Sequence, residues 1–263
     1  MEPEPSPWSE VRPRLDGVTR VAFDLEGDFN LHRYGRRICL FQLAWDDEVV
    51  LLDPLTDPQP WAGWKEFLEN PAVTKVIWAA QNDVRVLKAC SGIALRGLWD
   101  LFDAACLVVT PRPSLPLLVE SFLGRIIGKD EAIQTSDWSV RPLSEEQRAY
   151  AAQDVRHLLA LADRLAPLLD ERRKRAAFET RMLAAEGYEF RETDEPWRKI
   201  KGAGVLDEEQ SSRLKTVWLE RERLAKELDL APYRVVPPEQ LLTWARTGAF
   251  SHDFTIDPRW VLR

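Results

Sequence analysis

Six residues, Val21-Ala22-Phe23-Asp24-Leu25-Glu26, set the tightest limit on how this chain folds. Val-Ala-Phe has the β-branched and aromatic character of a buried strand. The strand then meets two carboxylates spaced i, i+2, which point to the same side. Like charges side by side are costly unless a proton or a cation lies between them. The pair therefore reads in one of two ways: a strand end emerging into solvent, or half of a cation site.

The flanking sequence predicts the surroundings of that strand. Ile38 to Trp45 reads as a second, largely buried strand, and Val49 to Leu52 as a third, stopped by Asp53-Pro54. Connections this short predict antiparallel hairpins. Trp61 to Leu68 has helical periodicity. Lys75-Val76-Ile77-Trp78 reads as a short strand leading to a helix that Asn82 or Asp83 can cap. A strand followed by a capped helix is a βα unit, so the class is α/β and the sheet is mixed. From Leu98 the pattern is mostly helical, over Leu101–Val109 and Leu115–Leu123, and Gly124 to Pro142 reads as loop. Ser144-Glu145-Glu146-Gln147 is a capping box that opens a helix expected to reach about Leu165. A further helical stretch runs to Glu186, and its basic run Arg172-Arg173-Lys174-Arg175 reads as a solvated face. Gly187 to Gly204 has the composition of a linker. Beyond it, Asp207–Leu228 and Glu239–Arg246 are helical. The expected organisation is a disordered start over 1–17, an α/β domain over 18–190, a linker over 191–204 and a small all-α domain over 205–263.

Composition narrows the chemistry. A net charge of −7 and a pI near 5.2 argue against a protein that holds nucleic acid by bulk electrostatics. They leave open an enzyme whose own carboxylates bind cations. Cys39, Cys90 and Cys106 are far apart and form no CxxC pair, so neither a zinc site nor a disulfide framework is expected. The eleven tryptophans read as packing residues. No apolar run approaches the roughly 18 residues a membrane span needs, and the acidic, proline-rich start is not a targeting peptide. A cytoplasmic protein is expected.

Three further acidic or phenolic residues can join Asp24 and Glu26. Asp83 begins a helix just after a strand. Asp154 lies within a helix with Tyr150 four residues before it, and an i, i+4 pair shares one helix face. Each has a plain reading alone, Asp83 as a helix cap and Tyr150 as a partly buried aromatic. Together, four carboxylates supply only oxygen ligands, which suits Mg²⁺ or Mn²⁺ and not zinc. Two such ions stabilise the attacking and leaving oxygens of a phosphoryl displacement. A tyrosine hydroxyl beside them can orient the attacking water.

Asp24-x-Glu26, Asp83 and Tyr150-x-x-x-Asp154 resemble the three exonuclease motifs of the DEDD superfamily in its tyrosine-bearing (DEDDy) branch, and within it ribonuclease D. Leu40-Phe41-Gln42-Leu43, Leu52-Asp53-Pro54-Leu55 and Asp137-Trp138-x-x-Arg141-Pro142-Leu143 match that family, as does Tyr150-Ala151-Ala152-Gln153-Asp154-Val155. The likeness covers about 18 to 190. Pro196-Trp197-x-x-Ile200-Lys201-Gly202, with Leu214, Leu219, Arg221-Glu222 and Ala225, resembles the start of an HRDC domain, here shortened or degenerate.

The resemblance implies a ribonuclease H-like fold, a mixed sheet flanked by helices. It implies two divalent ions, Mg²⁺ or Mn²⁺. Asp24 would bridge both, Glu26 and Asp154 would hold the ion that activates water, and Asp83 would help anchor the other. Tyr150 would position the water. Asp28 and Asp103 are expected to lie outside the immediate ligand set or in solvent. The implied activity is 3′→5′ hydrolysis of RNA 3′ ends, tRNA precursors being the family's usual substrate class, with release of nucleoside 5′-monophosphates. Two alternatives stand beside it: a DNA-directed exonuclease of the same fold, and an inactive fold kept as a binding module. The resemblance identifies no substrate-binding residues, and it is compatible with a monomer.

Overall fold

The computed structural model describes residues 3–57, 61–109, 112–128, 130–190 and 193–250. The chain divides into two compact units. One comprises residues 1–27 and 37–190, the other residues 28–36 and 191–263.

In the first unit, Pro5–Ser6 (β1) leads into the helix Trp8–Val11 (α1) and a 3₁₀ turn, Arg12–Leu15. Arg20–Phe29 (β2), Arg36–Trp45 (β3) and Glu48–Leu52 (β4) follow, then the helix Ala62–Leu68 (α2), Thr74–Ile77 (β5) and Gln81–Ser91 (α3). Leu98–Asp100 (β6) is succeeded by helices Leu101–Val108 (α4), Leu115–Leu123 (α5), Glu131–Gln134 (α6), Glu145–Arg156 (α7), Leu158–Leu165 (α8) and Arg172–Ala185 (α9). Among the described residues the six strands form one sheet in the order β1-β4-β3-β2-β5-β6. β3 and β4 pair antiparallel, with Phe41 opposite Leu52 and Trp45 opposite Glu48. β5 runs parallel to β2, placing Ala22 beside Val76, and β6 runs parallel to β5, placing Asp100 beside Ile77. The sheet is mixed, as the βα pattern requires.

Burial follows from the strand sequences. Val21, Ala22, Phe23 and Leu25 of β2 are in the main core, with Phe41, Leu43, Val76, Ile77, Val84 and Leu87. A second cluster of Cys39, Leu40, Leu51, Trp138, Leu143 and Ala151 lies under α7. β3 therefore feeds both clusters, Cys39 and Leu40 one and Ile38, Phe41, Leu43, Ala44 and Trp45 the other, which is why it reads as continuously apolar.

The structure corrects four expectations. The start is ordered from residue 3: β1 adds to the sheet beside β4, and Trp8, Val11 and Leu15 are buried. The Trp8 ring stacks on Trp64 at 4.7 Å between centroids. Three apolar residues at helical spacing outweigh the surrounding prolines and acids. Leu98–Asp100 is a strand, too short to show a period. The helix expected from Ser144 to Leu165 breaks at His157 into α7 and α8. Finally, the expected linker belongs to the second unit's core, where Trp197 and Ala203 are buried; residues 191–192 lie outside the described residues. Cys39, Cys90 and Cys106 are not joined in disulfides.

The second unit is helical. Its 3₁₀ turns Pro196–Lys199 and Ala203–Val205 precede Glu208–Glu227 (α10), Pro232–Val235 (α11) and Pro238–Thr247 (α12). A capping box between Asp207 and Gln210 starts α10. Leu214, Val217, Ala225, Val235 and Leu241 form the core, and Tyr34 packs against it. The short segment 28–36 is held by the helices. Tyr233 Oη donates to Leu31 O at 2.8 Å, Ala231 N to His32 O at 3.3 Å, and Arg234 lies 3.0 Å from His32 Nδ1. The remainder of the expected helical domain, residues 251–263, lies outside the described residues.

Candidate active site

Asp24 and Glu26 project from β2 one residue apart, as the strand period demands. Asp154 comes from α7. One carboxylate oxygen from each of the three lies within 4.8 Å of the others. Asp83, in the first turn of α3, stands outside that three-oxygen set but close enough for its charge to act on Glu26. The structure thus brings together all four predicted acids.

Electrostatics make the grouping costly. Burial raises Asp24 from an ordinary 3.8 to about 7, with only the Leu25 N–H opposing it. Desolvation, then the charges of Asp24, Asp154 and Asp83, push Glu26 well above the usual carboxylate range. Asp83 rises for the same reason, through desolvation and then Asp24 and Asp100. Among the described residues, the causes of these three shifts are burial and neighbouring acids, with no lysine or arginine among them. Half-buried carboxylates without a protein cation are stable only protonated or around a bound cation. The donor set is all oxygen, so it fits a hard divalent ion.

Tyr150 sits one helical turn before Asp154 and its hydroxyl donates to that carboxylate. Desolvation first, then the charges of Asp154, Glu26 and Asp24, keep the phenol protonated. Its ring packs 6.1 Å from Trp138, centroid to centroid. Trp138 is fixed in turn by Arg141. That guanidinium donates to Asp53 through Nε at 2.5 Å and Nη2 at 2.8 Å, to Cys39 O at 2.7 Å and to Trp138 O at 2.7 Å. Burial alone would raise the Asp53 pKa, but the hydrogen bonds and charge of Arg141 outweigh it and hold it below the usual value. The Asp137-to-Leu143 stretch is thus a brace between β3, β4 and the tyrosine helix.

The α7 N-terminus follows the capping prediction. Gln147 N donates to Ser144 Oγ at 3.1 Å, and Gln147 Oε1 accepts from Ser144 N at 3.0 Å. Asp28 and Asp103 are elsewhere. Asp28, in the second unit, accepts from the backbone N–H groups of Leu31, His32 and Arg33. Asp103 pairs with Arg181 at 3.0 Å. One acid escaped sequence reading. Asp100, at the end of β6, accepts from Ala79 N at 3.0 Å and Ala80 N at 2.8 Å and caps α4 through Phe102 N. Ala79 has φ +56°, a left-handed conformation that costs a non-glycine residue about 1 kcal/mol or more. Asp100 therefore holds the strained turn from which α3 carries Asp83. An aspartate just before an apolar helix was the available signal, as an N-cap.

The fold and this geometry have counterparts among known proteins. A family described as "3'-5' exonuclease" matches residues 8–170. The chain is 33% identical over 232 residues to ribonuclease D of Cronobacter turicensis, covering 87% of this chain and 62% of that protein. Among solved structures, the catalytic core of RRP6 from Trypanosoma brucei superposes with a TM-score of 0.78 at 25% identity, over 94% of this chain and 73% of the other. Escherichia coli RNase D does so with a TM-score of 0.72 at 28% identity, over 90% and 63%. The chain spans between about a third and two thirds of the length of the first curated relatives it matches. With more than half its length matched by the family and the four acids and tyrosine gathered in one place, the chain belongs to the 3′-5′ exonuclease family, in its ribonuclease D and RRP6-like branch with a helical HRDC-like extension.

Proposed function

We propose that the protein is a metal-dependent 3′→5′ exoribonuclease that trims RNA 3′ ends, tRNA precursors included, to nucleoside 5′-monophosphates in the cytoplasm. The observation that carries this reading is the cluster of Asp24, Glu26 and Asp154 oxygens, one from each residue, within 4.8 Å of one another. Asp24, Glu26 and Asp154, with Asp83 beside them, would hold two Mg²⁺ or Mn²⁺ ions. When bound, such ions lower the pKa of water and neutralise the charge that develops on the scissile phosphate. The protein's share is positional. The end of β2 fixes two carboxylates on one side, and α7 presents Asp154 and Tyr150 together. The protonated Tyr150 hydroxyl is available to hold a water in line with the phosphate. Trp138 and Arg141 keep that helix face in register.

RNA is the favoured polymer because matched relatives carry the name ribonuclease D. The test is digestion of 3′-labelled single-stranded RNA, single-stranded DNA and a tRNA with a 3′ trailer, with Mg²⁺, Mn²⁺ or EDTA. Stepwise release of nucleoside 5′-monophosphates from RNA, lost in EDTA and in Asp24→Ala and Asp154→Ala, supports the proposal. Loss of several kcal/mol of transition-state stabilisation corresponds to more than about a thousandfold in rate. Preferential digestion of DNA would replace the substrate. Activity retained in either alanine variant would remove the site.

A further inference from the structure

β2, β5 and β6 run parallel, and the carboxyl ends of such strands are where α/β sheets receive ligands. Asp24 and Glu26 lie toward that end of β2, and Asp83 follows β5. The residue that directly follows β5 is aromatic: Trp78. The strand register sets it beside Asp24. Val21 pairs with Lys75 and Ala22 with Val76. Trp78 is two residues beyond Val76, as Asp24 is two beyond Ala22. Side chains two apart share a face, and neighbouring strands lie about 4.8 Å apart. The alternate residues serve the opposite face, where Lys75 lies over the Phe67 ring at 5.5 Å and Phe23 packs on Phe41. The contacts of Trp78 agree with this placement. Its ring meets Phe102 edge-on, with 5.6 Å between centroids. Phe102 belongs to α4, which packs on α8. α8 in turn packs on β5 and on α7, the helix of Asp154.

An aromatic ring at a strand end can be plain packing, and part of Trp78 does lie against the main core. Packing does not account for the rest. Ile77, Trp64 and Trp138 are 1% exposed or less, whereas Trp78 and Phe102 both stay partly exposed. The pair thus keeps an open aromatic surface one strand away from the acidic cluster. A nucleobase is joined to its phosphate through a single sugar, so a base next to the bond being cut has the reach to meet that surface. Stacking suits it because every base has a π-face. It also suits a chain of net charge −7, which has little bulk attraction for a polyanion.

We propose that Trp78, braced edge-on by Phe102, is the stacking platform for a nucleobase that flanks the scissile phosphate. The platform grips the RNA 3′ end without reading its sequence, as a trimming enzyme requires. This inference rests on the exonuclease reading for its substrate, and the test separates the two.

Stacking of one base on an aromatic ring corresponds to about 5- to 150-fold in affinity. Binding of a 5′-fluorescein-labelled nine-nucleotide RNA with a 3′-terminal phosphorothioate linkage is measured with Mn²⁺. A second RNA carries abasic sugars at its last two positions, the nucleotides on either side of the scissile bond. Wild type is compared with Trp78→Leu, Trp78→Phe and Trp99→Leu, the last a partly exposed ring that packs on Phe178 at 5.1 Å. Trp78→Leu keeps apolar bulk without a π-face and is expected to bind the intact RNA about tenfold more weakly. Trp78→Phe should stay within about threefold of wild type, and Trp99→Leu should match it. On the abasic RNA wild type itself should lose about tenfold, and Trp78→Leu should lose nothing more. The slope of log K against log[salt] should be the same in wild type and Trp78→Leu, because no phosphate contact is removed. In turnover, Trp78→Leu should raise KM for the intact RNA and not for the abasic one. Equal binding of both RNAs by wild type overturns the platform, whatever the variants do. Unchanged binding of the intact RNA by Trp78→Leu, or an equal loss in Trp99→Leu, also overturns it. If wild type releases no nucleotide from any RNA but binding follows the expected pattern, the exonuclease reading fails and the platform stands as a site for RNA 3′ ends.

Discussion

Removing the charge of Asp24 should make the metal-free protein more stable, and the size of the gain can be worked from the site. In the folded protein Asp24 keeps its proton to about pH 7, against an ordinary 3.8. Between those values the folded state binds more protons than the unfolded chain, so its stability declines as pH rises. The contribution is fully present below the ordinary carboxylate value and is lost as pH passes the folded value, levelling off above pH 7. A shift of about three units at 1.36 kcal/mol each sets an upper bound of about 4 kcal/mol. Sharing of the proton with Glu26 and Asp83 reduces the part assignable to Asp24 alone, so about 2–4 kcal/mol is the working range. Asp24→Asn keeps the shape and cannot ionise. In EDTA at pH 8 it should melt above wild type by roughly 5–15 °C, given about 2–4 °C per kcal/mol for a chain of this class. Near pH 4 the two should coincide. With Mn²⁺ the order reverses, because the ion binds only ionised carboxylates and stabilises wild type by mass action. Thermal unfolding followed by tryptophan fluorescence from pH 4 to 8, with EDTA or Mn²⁺, reads both effects. If Asp24→Asn is no more stable than wild type at pH 8 in EDTA, the acidic cluster is not electrostatically strained and the physical case for a cation site collapses.

Four further outcomes are expected. Arg141→Lys should destabilise by about 3 kcal/mol in urea unfolding, because one ammonium cannot replace the two-pronged bond to the buried Asp53; a loss under 1 kcal/mol would mean the brace is ornamental. Tyr150→Phe should lower kcat while leaving Mn²⁺ affinity, measured by calorimetry, unchanged, and a fully active variant would withdraw the tyrosine from the reaction. Asp100→Ala frees the strained turn at Ala79 and should cost about 2–3 kcal/mol and weaken Mn²⁺ binding through Asp83. Glu186→Ala removes the carboxylate that accepts from Gly97 N at 2.8 Å and pairs with Arg96 at 3.1 Å. Hydrogen exchange should then rise at the edge strand β6 before anywhere else in the sheet.

The parts of the site legible in sequence were those governed by short-range geometry. A strand period placed Asp24 and Glu26 together, a helix period placed Tyr150 with Asp154, and a capping box located the start of α7. Asp83 was legible only as an acid at a helix start just after a strand, because no local period ties that position to β2. Asp100 stayed hidden for the same reason: its role depends on the 2.8 Å bond from Ala80 N, a contact between segments 20 residues apart. The N-terminal misreading has a different origin. Prolines and acids dominate the composition of 1–17, yet three buried apolar side chains, Trp8, Val11 and Leu15, decide its state. Trp197 misled in the same way, as a single buried ring in a stretch with linker composition.

The segment 28–36 has a consequence for how the protein is made. It leaves the ribosome early, but the groups it bonds to arrive late: Leu31 O and its donor Tyr233 are 202 residues apart. At about 5–20 residues per second, the segment waits about 10–40 s for that partner. Throughout that interval Tyr34, which finally packs on the helical core, has nothing to pack against within its own unit. The second unit thus cannot close until α11 has been synthesised, and any cut that removes the helices also strips a turn that begins two residues after Glu26.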